Sequence, residues 1–132
     1  MKALNAKSTA KFFKLIEGLN EPGDSERISN NESFMPVVVE FNYQFDTGRQ
    51  YSLSHYGEQN GDLMSDPDMT FFVDADGKVF PMTYRNDYAG VEQIAIELKD
   101  SVPKLLRKTA QADMVEFVQD WLVNIWEQQE MG

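Results

Sequence analysis

Val37-Val38-Val39-Glu40-Phe41-Asn42-Tyr43-Gln44-Phe45-Asp46-Thr47-Gly48-Arg49-Gln50-Tyr51-Ser52-Leu53-Ser54-His55-Tyr56 is the stretch on which the fold turns. Val37, Val39, Phe41, Tyr43 and Phe45 alternate with Val38, Glu40, Asn42 and Gln44, the period of a half-buried strand. Pro36 suits the first residue of such a strand, and Asp46-Thr47-Gly48 turns the chain. The returning segment puts Tyr51, Leu53 and His55 on one face and Ser52, Ser54 and Tyr56 on the other. Two strands with one apolar face need a common cover.

Downstream, Met69, Phe71 and Val73 alternate again, Asp74-Ala75-Asp76-Gly77 turns into Val79–Tyr84, and Ile94, Ile96 and Leu98 share a face. An EF-hand loop needs glycine at its sixth position and glutamate at its twelfth, so this Asp-x-Asp-Gly reads as a hairpin turn and not a calcium loop. The C-terminal third changes to helical period. Asp100 or Ser101 can cap, Pro103 fits a first turn, and Ala110, Met114, Phe117, Val118, Trp121, Leu122 and Ile125 form a broad stripe, with Trp126 off it. At the other end Ser8 can cap a helix carrying Phe12, Leu15, Ile16 and Leu19, ended by Asn20 and Pro22-Gly23. Residues 20–33 are polar and read as a long surface connection.

These readings predict a single α+β domain over residues 1–132. About five mostly antiparallel strands in 36–98 are covered on one face by a helix near 104–128, with a helix near 8–19 beside it. A chain of 132 residues can bury about two-thirds of its unfolded surface without staples. It has no cysteine, which excludes disulfides, thiol catalysis and cysteine-ligated zinc. With no signal-like segment and no run long enough to span a bilayer, a cytoplasmic location and no membrane partner are expected. The net charge is −10, and residues 21–100 carry sixteen acids against five bases. Such a surface disfavours direct nucleic-acid binding and suits a protein partner, including one that normally handles nucleic acid.

The chain resembles a widespread bacterial family of domains of unknown function, found on chromosomes, plasmids, phages and conjugative elements. The resemblance rests on Met35–Glu40, Leu53–Met69 and Tyr84–Val91, and more loosely on Phe117, Trp121, Asn124, Ile125 and Gln128. It implies a shared fold and a home on mobile DNA, and brings no activity.

The segment between Tyr56 and Met69 concentrates the chemistry, and three readings stay open. In the structural one, Gly57 and Gly61 supply positive φ, Asp62 caps a helical turn through Ser65, and Pro67 stops it. In the second, Glu58, Asp62, Asp66 and Asp68 surround His55 and hold a magnesium or manganese ion, making a metal-dependent hydrolase. In the third, the loop touches another macromolecule. The candidate binding residues are His55, Tyr56, Glu58, Gln59, Asn60, Asp62, Asp66, Arg85 and Asp87. His55 is expected at the core rim, hydrogen-bonded to a carboxylate, and an Arg85–carboxylate pair is expected to hold the loop rigid. No Gly-x-Ser-x-Gly elbow, triad or phosphate-binding glycine loop occurs, so no cofactor is expected; whether the chain is an enzyme stays open, with an accessory protein-binding factor the leading reading and the metal-dependent hydrolase its alternative.

Overall fold

The computed structural model describes residues 1–132, the side chain of Glu58 excepted. Helix α1 (Ala6–Ile16) is followed by β1 (Ser25–Ile28), β2 (Val37–Phe45), β3 (Gly48–Gln59), β4 (Asp62–Asp74), β5 (Val79–Asn86) and β6 (Val91–Ile94), then β7 (Ile96–Lys99), β8 (Val102–Leu105) and helix α2 (Lys108–Gln128). Strands β1 to β6 form one antiparallel sheet in chain order, and β7 and β8 form a separate two-stranded sheet. The α+β class and the helical cover are as expected; the strand count is not.

The extra strands have physical reasons. β1 lies inside the connection read as featureless and pairs with β2 from Ser25↔Glu40 to Ile28↔Val37. Only its Ile28 is buried, so an edge strand with three solvent-facing residues leaves no alternating signal. The expected strand over Val91–Leu98 breaks at Ala95, which is fully buried. Its N–H donates to the Met82 carbonyl at 2.9 Å, and its own carbonyl accepts from Leu106 N at 2.8 Å. Ile94 is therefore exposed while Ile96 is buried. Asp100 and Ser101, expected as caps, take left-handed φ of 52° and 64° in the β7–β8 turn, and Pro103 lies in β8. Helix α2 thus starts at Lys108, behind Arg107, which makes no side-chain cap bond. In α1 the cap is Asn5, whose Oδ1 accepts from Ser8 N at 2.8 Å, and Ser8 itself is buried inside the helix.

One sheet face carries the main core. Val37, Val39, Phe41, Tyr51, Leu53, Met69 and Phe71 pack under α1 and α2. Phe12 of α1 lies 4.9 Å from the Phe71 ring, and Trp121 of α2 meets His55 edge-on at 5.4 Å. Phe117, assigned to the apolar stripe, is instead 39% exposed, and Trp126 is half-buried beneath Lys11. At one corner of the opposite face, Phe72, Phe80, Met82 and Ile96 make a second cluster against Leu98 and Leu105 of the β7–β8 hairpin.

Two buried glutamines fasten the periphery to α2. The Gln111 amide bonds the Lys2 N–H and carbonyl, each at 2.8 Å. Gln129 accepts from Asn30 N at 2.7 Å and donates to the Met35 carbonyl at 3.1 Å. Buried amides keep their place only when bonded in this way. The Asp74 turn is a plain hairpin turn, its carboxylate accepting from Asp76 N and Lys78 N at 3.0 and 2.9 Å.

Candidate functional site

The segment read as a loop is the end of a long hairpin. β3 runs to Gln59, β4 starts at Asp62, and Asn60-Gly61 turns between them with φ of 54° and 84°. Positive φ at both central residues matches the right-handed twist of the flanking strands, and Asn-Gly is the pair that tolerates it best. No helical turn runs from Asp62 to Ser65, and Pro67 sits buried within β4 instead of ending one.

Pairing of β2 with β3 stops at Val37↔His55, and pairing of β4 with β5 stops at Asp68↔Arg85. Beyond those rows residues 56–65 form a two-stranded arm that projects from the sheet. Its outer residues, 59–63, face water and need no apolar alternation, which is why its acids and amides disguise it. Gln59, Asn60, Asp62 and Leu63 are exposed, Leu63 at 70%. The Glu58 side chain lies outside the described residues; its backbone pairs with Leu63.

The turn after β5 braces the arm at its base. Asp87 accepts from Ser65 N at 2.8 Å through Oδ2 and from Arg85 Nε at 2.8 Å through Oδ1, while Asp87 N donates back to the Ser65 carbonyl at 2.9 Å. The Ser65 N–H, and after it the Arg85 guanidinium, hold the Asp87 carboxyl below its ordinary range. Asn86 Nδ2 donates to Asp66 Oδ1 at 3.2 Å. The Tyr88 ring lies so close over Gly57 that a Cβ there would meet its hydroxyl and the half-exposed tyrosine would have to move, while Gly57 itself takes no positive φ. Arg85 pairs with Asp87 of its own turn and with no carboxylate of the arm, and it is Asp87 that reaches the arm, through Ser65.

A bulge at the base explains where the other residues point. Ser54 pairs with Asp68 and Tyr56 with Ser65, leaving His55 opposite Asp66 and Pro67. His55 faces the core, 6% exposed, and its Nε2 meets no hydrogen-bond partner among the described residues, contrary to the carboxylate bond expected there. Burial lowers its pKa from the usual value, with Asp66 opposing. Ser54, Tyr56 and Asp68 share the opposite face. Ser54 Oγ and the Tyr56 hydroxyl donate to the two Asp68 oxygens at 3.0 and 3.3 Å. Burial raises the Asp68 pKa against the pull of those two hydroxyls, and raises that of Tyr56 as well.

Asp68 belongs to a row that crosses all six strands in register: Arg27, Val38, Ser54, Asp68, Arg85 and Glu92. The Ser54–Asp68–Tyr56 cluster has no signature in the chain, because it depends on strand register and on the bulge. Among the described residues no three His, Cys, Asp or Glu side chains are placed to hold a metal ion; Asp62 stands at the arm's end and Asp66 at its base. No helix among them is long and apolar enough to cross a membrane.

Fold and site together define an α+β domain in which a six-stranded meander, backed by two helices, carries a braced two-stranded arm. The chain belongs to the family described as domain of unknown function DUF6908, whose model matches residues 7–131. Comparison with curated proteins and with solved structures gave no match.

Proposed function

We propose that the domain is a non-catalytic, cytoplasmic protein-binding factor serving mobile genetic elements, and that it binds through the arm. One observation carries this reading: a large apolar side chain, Leu63, stands 70% exposed on an arm whose base is held by four polar contacts, with the Tyr88 ring over Gly57. A preorganised apolar anchor loses little conformational entropy on docking, which makes it the economical way to build a binding hot spot. Asp62 stands next to that anchor, and the net charge of −10 favours a basic partner, including one whose own ligand is nucleic acid. The setting on mobile elements rests on the family resemblance.

Affinity capture from the host tests the proposal, with the wild-type chain compared against Leu63→Ser and Asp62→Lys. A protein retained by the wild type at low and moderate salt and lost by both variants is the expected result. Equal capture by all three would overturn the assignment to the arm.

A further inference from the structure

The two edges of the main sheet are built differently. β1 carries Glu26 and Arg27, a pair of charges of the kind that keeps an edge from adding a strand. β6 pairs only with β5, and all four of its residues, Val91, Glu92, Gln93 and Ile94, are exposed. Two of those are apolar, Ile94 at 48% exposure. On the core side of this edge, α2 leaves a groove of about 170 Å³ lined by Tyr84, Gln93, Ala110, Asp113, Met114 and Phe117. The Phe117 ring stands edge-on to Tyr84 at 5.4 Å and forms the outer wall. On the other side of the sheet, Glu92 lies beside Arg85, whose guanidinium is already engaged by Asp87.

We infer that β6 accepts an extended segment of a basic partner protein as a seventh strand, a surface separate from the arm. An added strand would run about 4.8 Å outside β6 and send alternate side chains to opposite faces. Those on the core side enter an apolar groove with an acid, Asp113, in its lining; those on the open side meet Glu92. The groove lining holds no lysine or arginine. The complementary sequence is therefore an apolar residue alternating with lysine or arginine. A second copy of this chain does not fit that description, because two molecules of net charge −10 would bring acidic edges together.

The probe is a blocked ten-residue peptide alternating valine and lysine, with a valine–glutamate peptide and a proline-interrupted valine–lysine peptide as controls. Amide resonances of Val91–Ile94 and of residues 110–117 are expected to shift on titration, and the β6 amides to gain exchange protection, with the first peptide only. Glu92→Lys, on the exposed edge, is expected to weaken binding about tenfold or more without altering the melting temperature; Phe117→Ala, which also loses contact with Tyr84 and Trp121, is expected to weaken binding to a similar degree in chains still folded at the titration temperature, whereas Leu63→Ser leaves binding unchanged. Shifts that map to the arm, equal binding of all three peptides, absence of any shift, or sedimentation showing the free chain paired through β6 would each overturn the inference.

Discussion

Strands β3 and β4 lead two different lives along their length. From Gly48 to His55 and from Asp68 to Asp74 they lie at the centre of the sheet, flanked by β2 and β5 and covered by α1 and α2. From Tyr56 to Ser65 the same two strands have no neighbouring strand and are held by one turn. The base half is fixed by burial, which is large and tolerant of polar detail. The arm is fixed by a few directional hydrogen bonds and two glycines, so it can change without the fold.

The largest effect belongs to the base half. Trp121→Ala removes the side chain that covers His55 and is expected to cost about 3–5 kcal/mol by denaturant titration. A loss under about 1 kcal/mol would mean that α2 does not cap that half. Gln129→Leu leaves the Asn30 N–H and Met35 carbonyl without their partner and should cost about 1–3 kcal/mol. Gly61→Val, at φ 84°, should cost about 1–2 kcal/mol, seen as fraying of residues 57–64 while the base half keeps its exchange protection.

His55 makes the stability of the base half depend on pH. Its folded-state pKa lies below the unfolded value of 6.5, so below that pH the unfolded chain binds a proton that the folded one refuses. Stability should therefore fall as pH drops from 7.5 toward 5.5, and His55→Phe should flatten that slope in denaturant titrations. A parent whose stability is level or rises over this window would contradict the burial of a neutral imidazole. The smallest effect is expected of Leu63→Ser, within about 0.5 kcal/mol of the parent, since its side chain leaves no core contact behind.

The base half was legible because burial on one face writes period two into Val37–Phe45 and Tyr51–His55, and the α2 stripe announces its cover. The arm was misread although its decisive signal, Asn60-Gly61, stood in plain view. Glycine, asparagine and aspartate crowd the segment as they would a loop, and a strand pair whose outer residues are exposed has no apolar period to set against them. β1 hid for the same reason, with Ile28 alone turned inward. The parity that put His55 opposite Ser52 and Ser54 held, yet its partners and those of Asp68 depend on a bulge that displaces β4 by one residue, and register of that kind is not written locally.

Amide hydrogen exchange along β3 and β4, in the parent and in Asp87→Ala, tests the braced arm most directly. Residues 57–59 and 62–65 of the parent should exchange more slowly than an unstructured chain and faster than residues 50–54 and 69–73. Asp87→Ala should accelerate the arm alone, because it removes the acceptor of Ser65 N and the partner of Arg85. Arm amides that exchange at the unstructured rate in the parent, or that slow and quicken together with the base half in the variant, would contradict the account.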